Sequence, residues 1–93
     1  MQETNASVRV QKLDEAKEII AELEEQKGME LSGPRGALFR AGRTVESVQP
    51  YMRHMEEAMG QTAGLAIEGG YDDVASNAAQ LITDLQESQS NDD

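Results

Sequence analysis

Apolar residues recur along this chain at helical spacing in three separate stretches. In the first, Leu13, Ala16, Ile20 and Leu23 step by three, four and three residues, which predicts a helix over about 14–27 with one buried stripe. Ile19 widens the stripe, Glu15, Glu18, Glu22 and Glu25 hold the opposite side, and Gly28 supplies a stop. Upstream, Ser7-Val8-Arg9-Val10-Gln11 alternates polar and β-branched residues, which suits a short strand as well as an extra helical turn; Asp14 is a better N-cap than anything before it, which favours a helix starting there with residues 7–11 extended.

Residues 28–36 form a connector in which Ser32 can cap a helix that carries Pro34 in its first turn. From there Leu38, Ala41, Val45, Val48, Met52, Met55, Met59, Thr62 and Ala66 alternate steps of three and four, a heptad-like seam. Pro50 falls on the far side of that seam and splits it into helices of about 34–48 and 50–67, the first weakened by Gly36 and Gly42. Gly69-Gly70 then breaks the pattern. Asp72 and Asp73 open a last helix, where Val74, Ala78, Leu81, Ile82 and Leu85 recur, and it ends near Glu87.

A two-residue glycine link between periodic segments predicts an antiparallel hairpin of helices 50–67 and 72–87. Gly60, Ala63 and Gly64 would then face Ala75, Ala78 and Ala79 at close backbone approach, so that Gly64→Leu should destabilise the fold. The fold class is all-α. Residues 1–87 make a single bundle of three to four helices, and residues 88–93 make a disordered acidic tail.

Composition narrows this picture. Leu, Ile, Val and Phe supply only 17 of 93 residues, below the roughly one fifth at which a highly charged chain can fail to fold. Eleven Ala and five Met make up part of the deficit, and the long seam asks for apolar surface that two narrow helical stripes do not provide. A homodimer is therefore expected. The length excludes a multidomain enzyme, and the absence of Cys removes disulfides, thiol nucleophiles and Cys-based metal sites. With no apolar run long enough for a membrane span and no leader pattern, a soluble cytoplasmic protein is expected.

The net charge of −10 is unevenly distributed. Residues 1–31 hold 8 acids and 4 bases, residues 32–54 hold Glu46 against Arg35, Arg40, Arg43 and Arg53, and residues 55–93 hold 9 acids and no base. The arginine segment 35–43, with Phe39 beside Arg40, is the place where an acidic protein surface or another anion could dock, unless it pairs with the acidic half of the chain. Met52, Met55 and Met59 lie on the seam, where thioethers fill a core or line an adaptable groove. Glu56, Glu57, Asp72 and Asp73 are the acidic candidates for partner contact. As sequence neighbours they point about 100° apart on a helix and do not converge on one proton or cation. The lone His54 has Glu57 three residues on, but no nucleophile stands in a recognisable motif around it, and no cofactor is implied.

The order strand 7–11, helix 14–27, turn and helix 34–48 resembles the ribbon–helix–helix DNA-binding proteins, including antitoxins of toxin–antitoxin pairs. That resemblance implies Ser7, Arg9 and Gln11 reading the major groove, Val8 and Val10 in a dimer core, and an acidic toxin-neutralising C-terminal half. The long connector, Pro34 and the single positive charge of the strand depart from it. The leading expectation is a non-enzymatic regulator, inhibitor or assembly adaptor, of a kind that phages also encode, acting by protein–protein binding. A DNA mimic built on the base-free half is a variant of it. The charge balance disfavours nucleic acid as a partner, and under this reading Arg9 is a neutral surface position.

Overall fold

A computed structural model describes residues 5–31 and 33–90, with side chains placed within 8–31 and 33–87. Every regular element among them is helical. Helix α1, Asn5–Ala21, passes into a π-helical turn at Glu22–Gln26. Leu13, Ala16, Ile20 and Leu23 are fully buried, as their spacing requires.

The start of α1 differs from the expectation, because residues 7–11 are helical and Asp14 lies inside the helix. The cause is Arg9, four residues before Leu13 and so on the same row, only 8% exposed. Its aliphatic stem prolongs the apolar stripe, and its Nη1 donates to Gln49 Oε1 at 3.2 Å. Val10 packs against the core beside it. Alternating β-branched residues express a weak preference that such packing overrides. The strand on which the ribbon–helix–helix resemblance depends is therefore a helix, and Arg9 is not a neutral surface position.

The predicted seam is buried, but not as two helices. Leu38, Ala41, Val48, Met52, Met55, Met59, Thr62 and Ala66 all lie inside, while Val45 is 44% exposed. They are carried by α2 (Arg35–Arg40), α3 (Val45–Val48), a 3-10 turn at Gln49–Tyr51 and α4 (Met52–Gly69). The exposed Pro50 sits in the 3-10 turn, where a break was expected. A second break falls at residues 41–44, where Ala41 (ψ 138°) and Thr44 (ψ 160°) are extended and reset the helical phase, turning Val45 outward. Thr44 then starts α3 through a capping box, its Oγ1 accepting from the Ser47 N–H at 3.3 Å and the Ser47 Oγ accepting from the Thr44 N–H at 3.2 Å. The proposed Ser32 cap lies outside the described residues.

Helix α5 spans Asp72–Ser90, so residues 88–90, assigned to a tail, continue the helix, and 91–93 lie outside the described residues. The link from α4 requires glycine twice. Gly70 has φ +80°, and the Tyr71 N–H donates to the Ala66 carbonyl at 2.8 Å, closing the helix end. A Cβ on Gly69 would sit 2.7 Å from the Tyr71 ring. The Lys27 ammonium lies 4.9 Å from the centroid of that ring, tying the turn to the end of α1.

Helices α4 and α5 form the most extensive packing pair, and α1 packs against both. Met55, Ala58, Met59, Thr62 and Ala66 join Val74, Ala78, Leu81 and Leu85 of α5 and the stripe of α1 in one cluster. The apolar surface that the seam needs is thus supplied within one chain, and burial alone does not call for a second copy. Lys12 of α1 reaches Asp84 of α5 at 3.1 Å. Hydrogen bonds from Gln80 and from Lys12 hold the Asp84 carboxyl below the usual aspartate value. Its contribution to stability is present above the unfolded aspartate pKa of about 4 and is lost as pH falls through the lowered folded value. Among the described residues, no helix is long and apolar enough to cross a membrane.

The expected glycine contact is not formed: Gly60 and Gly64 are exposed, with open space where a Cβ would stand, and Ala79 is exposed on α5. The close-packed small residues of α4 are Ala58, Thr62 and Ala66, an i, i+4, i+8 row with no exposed surface, in which Thr62 satisfies its hydroxyl on the Ala58 carbonyl at 2.7 Å. Ala66→Leu should therefore cost about 1–3 kcal/mol through overpacking, visible as a fall of several degrees in Tm. Gly64→Ala should raise Tm, because an exposed mid-helix glycine costs roughly 0.5–1 kcal/mol relative to alanine. Thermal unfolding followed by circular dichroism checks both, and a destabilised Gly64→Ala would restore the glycine-contact register.

Candidate functional site

Helix α2 is too short to be stable alone, and three polar ties hold it and its flanks along α1. Glu24, set in the π-helical turn, uses one carboxylate oxygen twice, accepting from the Leu31 N–H at 3.1 Å and from Arg35 Nη1 at 2.6 Å. Lys17 Nζ donates to the Ala41 carbonyl at 2.8 Å, taking up an acceptor left where α2 ends. Arg43 Nε meets Asp14 Oδ1 at 3.2 Å. With Leu38 fully buried beneath, these ties fix which side of α2 faces water.

Phe39 stands on that outer side, 47% exposed, with a recess on each flank. One, of about 280 Å³, is lined by Glu24, Arg35, Gly36, Phe39 and Arg40. The other, of about 300 Å³, is lined by Asp14, Lys17, Glu18, Ala21, Phe39 and Arg43. A single exposed apolar residue is ordinary on a protein surface. Phe39 is set apart by its position between two recesses and by the cations around it. It is also the only Phe of the chain, and both tyrosines are half-buried. Arg40 is exposed and, among the described residues, forms no ion pair, whereas Arg35 and Arg43 are matched by Glu24 and Asp14.

The structure thus gathers Arg35, Arg40 and Arg43 in one place, which we term the ledge. It pairs two of them with acids of α1 and of the π-helical turn that follows it, not with the acidic C-terminal half. Helix α2 packs against both α1 and α4, its arginines find their acids on the α1 side, and the acidic α5 meets α1 through Lys12 and Asp84 instead. Met52, Met55 and Met59 are 9%, 0% and 0% exposed, so they fill the core and line no groove. Glu56 is half-buried near the start of α4. Glu57 is exposed and lies 3.7 Å from His54 Nδ1, with the His54 ring beside Tyr51 at 6.0 Å between centroids. Asp72 and Asp73 are exposed in the first turn of α5, most of the length of α4 away from Glu57. None of these acids lines either recess or is an ion-pair partner of Arg35 or Arg43. Among the described residues, no group of three or more His, Cys, Asp or Glu is placed to hold a metal ion.

The spacing gave no sign of a second feature, the corner between α4 and α5. Ile67 is 66% exposed there, the most exposed large apolar side chain among the described residues, and Glu68, Asp72 and Asp73, nearby in the sequence, are exposed as well. A further recess of about 210 Å³ between α1 and α5 is lined by Glu15, Glu18, Ile19, Asn77, Gln80, Leu81 and Asp84, and carries no cation.

Glu24 carries the ledge, since its carboxylate joins the connector and α2 to α1. Glu24→Ala should cost about 1.5–3 kcal/mol, the range for hydrogen bonds to a charged group, and should speed amide exchange of residues 31–40 more than that of α4. Unchanged exchange at the Leu31 amide would show that the carboxylate does not position α2. In comparisons with family models, with curated proteins and with solved structures, nothing matches this chain.

Proposed function

We propose that this chain is a non-enzymatic binding protein that acts by docking another protein on the ledge of α2, in the manner of a regulator, inhibitor or assembly adaptor. The observation that carries the reading is Phe39, held half-exposed between two recesses and ringed by Arg35, Arg40 and Arg43. Aromatic residues and arginines are the side chains most enriched at the energetic centres of protein interfaces, where a buried aromatic supplies apolar area and an arginine fixes register.

Charge separates a protein partner from a nucleic acid. The chain carries −10, and Asp14, Glu18 and Glu24 line the same recesses as the cations, so the ledge has no unbroken row of cations for a phosphate backbone to follow. Phe39 gains nothing from a phosphodiester, but it is removed from water by an apolar protein surface. The ribbon–helix–helix alternative has no observation in its favour, because its reading strand is part of α1 and Arg9 is turned inward.

The test is capture from the native host with the tagged full chain, compared across variants that keep a helical spectrum. Phe39→Ser and Arg40→Glu should each remove specifically captured proteins, with an affinity loss of about 30-fold or more if Phe39 is an interface centre, equivalent to about 2 kcal/mol. Glu57→Gln, at a residue that lines neither recess, should leave capture intact. Capture that survives Phe39→Ser would remove the ledge from the account.

A further inference from the structure

We propose that the ledge of one molecule takes a second copy of this chain, presented through the corner between α4 and α5. This rests on the reading of the ledge as a protein-docking surface and names its occupant. The two surfaces are complementary in both of their components. The ledge offers an exposed phenyl ring, 47% accessible, and Arg35 and Arg43, still 39% and 76% accessible; Asp14, Glu18 and Glu24 line the same recesses, so Arg40, which forms no ion pair among the described residues, is the cation left for an incoming carboxylate. The corner offers Ile67, 66% accessible, next in sequence to the exposed Glu68 and a few residues before the exposed Asp72 and Asp73; the cation packed there is Lys27, laid over the Tyr71 ring. These are the two ends of the charge asymmetry in the chain, and each carries one of the three exposed large apolar side chains found among the described residues.

Size and stiffness agree with this match. Each recess beside Phe39, at about 280 and 300 Å³, has room for one branched aliphatic side chain and lies at the lower limit of what a small molecule would need. The corner is held in shape before any contact is made. Gly70 closes α4 in the left-handed conformation, the Tyr71 N–H is bonded to Ala66, Tyr71 lies against Gly69, and Lys27 covers the Tyr71 ring. Little conformational entropy is then lost when Ile67 and the two aspartates dock.

The acidity of the whole chain opposes this contact and keeps it weak. Two molecules of charge −10 repel, but at physiological salt the Debye length is about 8 Å, so the long-range repulsion is largely screened while carboxylates touching guanidinium groups still interact. The association is heterologous, one ledge with one corner, and each copy carries both surfaces. It does not depend on the core seam, which is closed inside the single chain.

Charge reversal on the two surfaces tests the contact without knowledge of any other partner. The purified full chain is followed by sedimentation equilibrium at physiological salt from about 10 µM to about 1 mM, the range of weak association. The wild-type weight-average mass should rise with concentration. Arg40→Glu alone, and the double change Asp72→Arg with Asp73→Arg alone, should each stay monomeric while keeping a helical spectrum. An equimolar mixture of the two variants should associate again, because each reversed surface then meets its reversed complement and each native surface its native one. Phe39→Ser should weaken wild-type association at least tenfold. A wild-type chain that remains monomeric at about 1 mM, or a mixture that associates no better than its two components, overturns the proposal. If it fails while capture from the host still requires Phe39, the ledge remains a protein-docking surface and its occupant is a different protein.

Discussion

The structure depends on one constraint: a chain poor in large apolar residues must close a core around α4. Met55, Ala58, Met59, Thr62 and Ala66 present a face of thioethers and small groups that α1 and α5 cover together. Methionine fills irregular space between neighbours, and the row Ala58, Thr62, Ala66 permits close contact without large side chains. Every buried position counts in such a core. Even Arg9 contributes, because its stem lengthens the stripe of α1 and its head group finds Gln49.

The short α2 packs against α4 and α1 with one fully buried side chain, Leu38, and polar ties hold it and its flanks to α1 and the π-helical turn. The ledge follows from this arrangement. Glu24 and Asp14 hold Arg35 and Arg43 beside the short helix, Lys17 holds its end, and Phe39 and Arg40 are left facing water. The extended backbone at 41–44 lets the chain leave the ledge and re-enter the core at Val48, so the same break that interrupts the seam frames the exposed surface.

Much of this was legible in the residues. The stripes Leu13–Leu23 and Val74–Leu85, the glycine link at 69–70 and the proline break at 50 each rest on strong local rules, periodicity and backbone restriction, and each holds in the structure. The failures share a cause, since each needed three-dimensional neighbours that local pattern does not contain. Arg9 was counted as polar although most of its side chain is hydrocarbon. Gly60 and Gly64 have the spacing of a contact motif but stand off the buried row. Charge blocks identified the available arginines, but their partners were set by the lie of α2 along α1. The arginine segment with Phe39 could be read as the cationic docking place; the recesses beside the ring and the exposure of Ile67 could not, because both come from packing.

The central claim, that the face of α4 is closed within a single chain, is tested most directly by native-state hydrogen exchange at about 10 µM, with sedimentation confirming single copies. The account predicts that the amides of Met55, Met59 and Thr62 exchange slowest in the molecule, through global unfolding, while those of α2 exchange earlier through local opening. Exchange at Met55 and Met59 as fast as in α2, or protection that emerges only as concentration is raised, would contradict it and show that α4 is covered by a second copy.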